Sequence, residues 1–347
     1  MLLQISRSAI VKAYQIGTQE GLHSLVPVER PEPVAGPGMA VVRVRAVGLN
    51  HRDLSIVSGV YGPRRPEDRI PVSEGVGEVV SLGQGVTDVA VGDRVICGHF
   101  VHWLGGRFTP SVFGADLGVT QDGWLAEKVL IPAAALIVVP KMLADIQAAV
   151  LAAAGLTAWH ALVAFGRIRP GEWVLALGTG GVSLFALQIA KMHGARVIIT
   201  SSSDAKLDEA RRLGADATIN YQDTPDWAAA VMTATGQGAD MVVETGGQAT
   251  LAQSIAAAAP NGRIAIIGAL AGAASSGLPN FGSIIGKNLT LHGIAAGSRE
   301  MLVDFASAVA ANTLMPVIST TFPFERAPEA YASLSSGRNM GKVMLTL

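Results

Sequence analysis

Residues 173–183 read WVLALGTGGVS, and the rest of the chain is interpreted outward from them. An apolar run, 173–177, breaks into Gly178, Thr179, Gly180 and Gly181, and apolar residues at helical spacing follow from Val182 through Leu187 to Lys191. The order is strand, tight turn, helix. Such a turn brings backbone N–H groups close to a pyrophosphate at the positive end of a helix, where unpaired amides and the macrodipole favour an anion. A Cβ in the turn would hold the phosphates away, which explains the glycines. Glycine-rich turns also close ordinary βα connections, so the motif by itself leaves both readings open. Ser183 stands where the dinucleotide fingerprint has its third glycine, and it is small enough for close helix–strand packing.

The next unit repeats the pattern. Gly194 is placed to cap the helix, residues 196–200 form an apolar strand, and SSSDAK follows. A site built for NAD carries an acidic residue at the end of this strand, about 20 residues past the first glycine, to bond the ribose hydroxyls. Ser201 holds that place here. A carboxylate would repel a 2′-phosphate, whereas a serine hydroxyl with Lys206 one turn further on would receive it, so the charge pattern predicts NADP(H). Lys206 also fits a solvated helix face between Asp204 and Asp208.

Composition bounds the remaining possibilities. A chain of 347 residues has room for two domains with cores of their own. Lys plus Arg number 26 against 27 Asp plus Glu, and no basic stripe stands out, which argues against a nucleic-acid surface. The single cysteine, Cys97, excludes a disulfide or a multi-thiolate zinc site within one chain. The first residues, MLLQISRSAIVKAYQIG, lack the continuous apolar core of a signal peptide, and a cytoplasmic location is expected. Residues 148–166 carry no formal charge over about the length of a bilayer span. Their alanines give little insertion energy, and Gly155, Thr157 and His160 interrupt them, so two buried helical pieces meeting at 155–157 are expected rather than a membrane segment.

Upstream of this, short strand-like runs at 9–14, 39–47, 75–82, 91–97 and 125–131 alternate with turn residues, an antiparallel pattern. From about residue 151 strands alternate with helices: strand 241–244, helix 250–259, strand 263–267, strand 289–294. This is the α/β pattern of a doubly wound parallel sheet. A helix at 300–311, a strand at 316–322, another helix and a closing apolar strand at 343–347 complete the chain.

Several ordered motifs together resemble the medium-chain dehydrogenase/reductase superfamily, in its zinc-free, quinone oxidoreductase-like branch. They are VGLNHRDL at 47–54, SEGVGEVVSLGQGVTDVAVGDRV at 73–95, GLTAWHAL at 155–162 and GTGGVSLFALQIAK at 178–191. The resemblance implies a GroES-like β domain formed by 1–149 and 299–347, a Rossmann domain over 150–298, a small-molecule substrate and a homodimer formed through the strand at 289–294. In the zinc-dependent relatives the first motif carries a cysteine ligand and the second a histidine. This chain has Asn50 and Ser73 there, and a carboxamide and a hydroxyl are poor zinc ligands. Without a Lewis acid, alcohol oxidation loses its usual device, while reduction of a conjugated alkene or quinone by hydride does not require one.

The same resemblance supplies candidate residues. Asn50 matches an asparagine beside the nicotinamide that holds its ribose or a substrate carbonyl; as a residue, it equally suits a loop cap. Tyr61 matches a proton donor of enoyl thioester reductases; a turn aromatic is the plainer reading. His99 falls on the substrate-pocket wall as an acid, a polar anchor or lining. Thr157 lies near the nicotinamide, Ser201, Lys206 and Tyr221 surround the 2′-phosphate, and Gly268 and Ala269 follow the fourth strand. Lys342 matches a lysine reaching the cofactor, although a lysine guarding an edge strand would look the same. The implied activity is NADPH-dependent reduction of a quinone or α,β-unsaturated carbonyl compound. An alcohol or ketone dehydrogenase, or an NADPH-binding protein with little turnover, are the alternatives.

Overall fold

A computed structural model describes residues 9–268 and 279–347. The first part of the chain forms β1 (Ile10–Gln15), β2 (Val26–Pro31), β3 (Met39–Leu49), β4 (Glu74–Leu82), β5 (Arg94–Ile96), β6 (Lys128–Pro132) and β7 (Ile137–Val138). The middle forms β8 (Trp173–Ala176), β9 (Arg196–Ser201), β10 (Ala217–Asn220), β11 (Ala239–Glu244), β12 (Ala258–Ile266) and β13 (Thr290–Gly293). The last part adds β14 (Ile318–Pro323) and β15 (Lys342–Thr346).

The middle strands make one six-stranded sheet in the order β10-β9-β8-β11-β12-β13, every pair parallel. β8 is buried along its whole length, as expected for a strand covered on both faces. The strand order reverses between β8 and β11, and in open α/β sheets ligands bind beyond the strand C-termini at such a reversal. The glycine turn after β8 lies there.

The second large sheet runs β14-β15-β3-β4-β5-β7, with β6 also paired to β3. In β3 the side chains alternate, Arg43 and Arg45 outward and Val42 and Val44 inward, the period of a half-buried strand. The closing strand returns to this sheet: β15 is antiparallel to β3, Leu345 opposite Val47, and parallel to β14. With neighbours on both sides β15 is no edge strand, so Lys342 does not guard an edge.

Three strands escaped the sequence pattern, the two-residue β7 among them. β2, VPVERP, has prolines at its second and last positions and is half exposed, and β10, ATIN, is only four residues long. The segment at 145–165 also differs from expectation. It is one run of helical turns, Asp145–Phe165, with π-helical turns at Leu151–Gly155 and His160–Phe165. Gly155 does not break it; a Cβ there would come within 2.5 Å of the Phe305 ring, so the glycine permits close packing of the helix Arg299–Asn312. The run is long and apolar enough to cross a bilayer, yet 83% of its most apolar window is buried inside the protein, where Leu151, Leu156 and Leu162 join the core between the two sheets.

Candidate active site

The helix Gly181–Met192 begins at the glycine turn with Gly180 as N-cap and no side chain bonded to its first amides. Its N-terminus is therefore bare, with orphan N–H groups and the positive dipole end available to an anion. Gly178 has φ +73°, and a Cβ at Gly178 or Gly180 would meet nothing within 4 Å. The turn is an open cradle that fits a pyrophosphate. Ser183, in place of the third glycine, is buried and donates from Oγ to the Leu177 carbonyl at 2.6 Å, tying helix to strand. Thr179 is buried and accepts from the Gly341 N–H at 3.0 Å, which docks the start of β15 onto the turn, and Val182 is half-buried.

From that docking point Lys342 reaches beneath the turn. Its Cδ lies where a Cβ on Gly181 would fall, 2.6 Å away. Its ammonium donates to the Leu49 carbonyl at 2.5 Å and to Asn50 Oδ1 at 2.7 Å, and pairs with Glu74 Oε1 at 2.7 Å. Asn50 Nδ2 donates to the same Glu74 Oε1 at 2.9 Å, and Glu74 Oε2 accepts from the Ala153 N–H at 2.7 Å. The ring is closed and buried: Glu74 is 0% and Lys342 3% exposed. Ala153 lies in the middle of the first π-helical turn, Leu151–Gly155, and Thr157 lies buried one turn beyond it. Val72, just before Ser73 and Glu74, has φ +76°, a left-handed conformation rare for a β-branched residue that costs on the order of 1–3 kcal/mol. The Trp124 N–H on its carbonyl at 2.8 Å helps hold it there.

Asn50 also begins the short helix His51–Val57. Asp53 Oδ2 accepts from the Asn50 N–H at 2.7 Å, so the carboxylate fixes the loop. Complete burial, only partly offset by Arg52 and the Asn50 N–H, pushes the Asp53 carboxyl up to about 6. One residue earlier, Arg52 pairs with Asp116 through Nη2 and Oδ2 at 2.7 Å and lies 5.1 Å from the centre of the Tyr61 ring. Burial raises the Tyr61 phenol, with Arg52 opposing, so it keeps its proton at neutral pH. His99 is buried with Nδ1 unpartnered; burial first and then the Arg52 charge hold it neutral. The structure thus gathers Tyr61 and His99 around Arg52, two residues from Asn50. His102 is exposed and Cys97 lies in the β-domain core, so Cys97, His99 and His102, though close in sequence, do not converge as metal ligands. Of the remaining histidines, His160 is buried, its Nδ1 2.6 Å from the Ala296 carbonyl oxygen, while His51 and His292 are exposed.

At the C-terminal end of β9 Ser201 is buried and Tyr221 exposed, joined by a Tyr221 N–H to Ser201 carbonyl bond of 3.0 Å. Lys206 is turned onto the Gly337 and Asn339 carbonyls at 2.9 and 3.1 Å, which brings the exposed Arg338 alongside. The exposed hydroxyl beside β9 belongs to Ser202. Gly268 packs on Thr245, where a Cβ would meet the carbonyl oxygen at 2.1 Å; Ala269 lies outside the described residues. Glu74, Arg52, Asp116 and Arg338 were not singled out in the sequence. Arg52 and Asp116 are 64 residues apart and Lys342 and Asn50 292, separations at which local pattern carries no signal.

Residues 36–141 match the family model of the alcohol dehydrogenase GroES-like domain, and residues 181–311 match that of the zinc-binding dehydrogenases. A zinc-type alcohol dehydrogenase-like protein of Schizosaccharomyces pombe is 40% identical over 94% of this chain and 96% of its own length. The chain belongs to the medium-chain dehydrogenase/reductase superfamily. A putative alcohol dehydrogenase from Sinorhizobium meliloti 1021 superposes with TM-score 0.91 at 41% identity, covering 98% of this chain and 99% of that one. An NAD-dependent alcohol dehydrogenase superposes with TM-score 0.88 at 36% identity, covering 97% and 99%. This superfamily member does not fit the zinc its family model names. Asn50 and Ser73 offer an amide and a hydroxyl, the amide oxygen is taken by an ammonium, and among the described residues no three His, Cys, Asp or Glu side chains converge as metal ligands.

Proposed function

We propose that the protein is an NADPH-dependent, zinc-independent oxidoreductase that reduces a quinone or an α,β-unsaturated carbonyl compound by hydride transfer, as a cytoplasmic homodimer. The observation that carries this reading is the closed ring of Lys342, Asn50 and Glu74 where a metal-dependent relative would need free ligands. A substrate already polarised by conjugation suits such a site. The cofactor, when bound, supplies the hydride. The bare N-terminus from Gly178 to Val182 holds its pyrophosphate, and Ser201 and Tyr221, with Arg338 in place of the engaged Lys206, receive the 2′-phosphate. Gly268 lets the chain pass close to the strand ends, and Thr157 backs the nicotinamide. Asn50, with its amide tied at both ends, steadies Lys342 rather than holding a substrate carbonyl. Tyr61 keeps a proton it can lend, and neutral His99 offers a hydrogen bond. For the dimer, β13 ends the sheet, and the adjacent helix Phe281–Gly286 exposes Phe281 and Ile285 by 69% and 79%.

A second reading, an NAD-linked alcohol or ketone dehydrogenase, is favoured by the activity named for the 36% identical structure. Initial rates of NADPH and NADH oxidation by chelator-stripped protein, over quinones, enones, enoyl thioesters and simple ketones, separate the two. Enone or quinone turnover preferring NADPH is expected. Turnover of simple ketones with NADH would replace the proposal by the second reading, and silence with tight NADPH binding would leave a cofactor-binding protein.

A further inference from the structure

We propose that Arg52 is the electrophile of this site, its guanidinium donating to the substrate carbonyl oxygen. The inference rests on the carbonyl-reductase reading above and names the group that takes the place of a Lewis acid. An arginine and a carboxylate can form two parallel hydrogen bonds, yet Arg52 and Asp116 make one, Nη2 to Oδ2 at 2.7 Å. Arg52 Nε and Asp116 Oδ1 are both buried without a partner. Buried orphans of this kind cost about 1–3 kcal/mol each, so the pair is held in a shape that its own members do not satisfy.

The setting supports a ligand oxygen there. Arg52 retains 11% exposure of its side chain, enough for contact but with most water excluded, and in such a site a preoriented donor acts strongly on developing charge. Tyr61, 5.1 Å away, and His99 flank it as neutral proton-bearing groups. Lys342, buried in the neighbouring ring with Asn50 and Glu74, has all three protons engaged. Asp116 balances the guanidinium, so the pocket favours a neutral carbonyl over a carboxylate-bearing substrate.

The step then balances. A bound reduced nicotinamide would supply the hydride for a C–H bond at the β-carbon; the alkene π pair would move toward the carbonyl, and the oxygen would take up negative charge facing Arg52. A proton from the Tyr61 phenol, replaced from solvent, completes the α-carbon. The substrate gains two electrons and the nicotinamide loses them.

The test uses p-dimethylaminocinnamaldehyde, a conjugated aldehyde whose visible absorption moves to longer wavelength when its oxygen meets a cation. The full-length protein saturated with NADP+ binds it without turnover, binding being measured by equilibrium dialysis. A red shift is expected on the wild type and on Asp116→Asn, a smaller one on Arg52→Lys, and none on Arg52→Met. Enone kcat of Arg52→Met should fall about 10²-fold with the NADPH KM unchanged. Aldehyde bound without a shift would overturn the inference alone. So would loss of the shift in Asp116→Asn as complete as in Arg52→Met, since the pair would then only hold the loop. Failure to bind the aldehyde would overturn the carbonyl reading and this inference with it. If Arg52→Met does not fold, the wild-type and Asp116→Asn spectra still decide.

Discussion

Two helix N-termini meet at Lys342, and they are finished in opposite ways. The helix Gly181–Met192 starts at a glycine with no side chain on its first amides, while His51–Val57 starts at Asn50, whose N–H is held by Asp53 and whose side chain is held by Lys342 and Glu74. Each end has orphan amides by the geometry of a helix. The first leaves them to a ligand; at the second, Asn50 is tied through both its backbone N–H and its side-chain amide to groups of the protein itself. The contrast separates binding surface from scaffold: an open terminus marks where a charge must come from outside, and a closed one marks what fixes the reacting groups in place.

The contrast breaks most severely if the open end is given its own anion. Gly180→Asp places a carboxylate in space that no atom occupies, so folding should survive. Against a pyrophosphate charge at about 4 Å and an effective dielectric of ~20, the repulsion is about 4 kcal/mol, roughly a thousandfold in Kd. Titration of NADPH fluorescence would measure it, with the melting temperature unchanged; tight binding by this variant would mean the phosphates lie elsewhere. Next in size is the closed end. Lys342→Met leaves Glu74 as a buried charge without its cation and should cost about 3–4 kcal/mol in chemical denaturation. Adding Glu74→Gln should restore much of that, because the loss is the stranded charge. Equal loss in single and double variants would show that the lysine matters through packing alone.

This difference also explains what could be read in the chain. The glycine turn, the buried strands β8 and β9 and the helix between them are local, and their periodicity and glycines declare them. Ser201 is legible because it ends a strand whose position the turn fixes. Lys342 and Asn50 were found only through motif resemblance, and their hydrogen bond joins positions at opposite ends of the chain. Glu74 lies within the motif at 73–95, but an acidic residue in a strand looks solvent-facing until β4 is placed between β3 and β5. Arg52 reads as a surface charge on a short helix, and only the fold brings Asp116 to it. In the sequence Gly155 reads as a helix break because its reason, the Phe305 ring, lies about 150 residues further along the chain.

The closed end carries a pH signature. Burial holds the Asp53 carboxyl at about 6 in the folded protein against 3.8 for the same carboxyl in an unfolded chain, so the native state binds the extra proton between those values. Stability from this group is full below pH 3.8 and is lost as pH rises through 6, about 3 kcal/mol in all. Asp53→Asn, which keeps an oxygen for the Asn50 N–H, should match the wild type near the acid end and exceed it at neutral pH. Denaturation midpoints that stay parallel across the window would place the titration elsewhere.

The smallest effect sharpens the open end. Ser201→Asp sets a carboxylate beside the 2′-position and should weaken NADPH about tenfold, some 1.4 kcal/mol, while leaving NADH unchanged or tighter. Because Ser201 is buried, the larger side chain can also crowd the adenosine, and that outcome has its own mark: equal loss for both coenzymes. Arg338→Ala resolves the two without touching the strand. The arginine is exposed on the loop that Lys206 holds in place, and removing it should weaken NADPH a few-fold and NADH not at all. If only Ser201→Asp discriminates, the phosphate is read by the absence of a carboxylate; if both do, it is read by a cation that Lys206 positions rather than supplies.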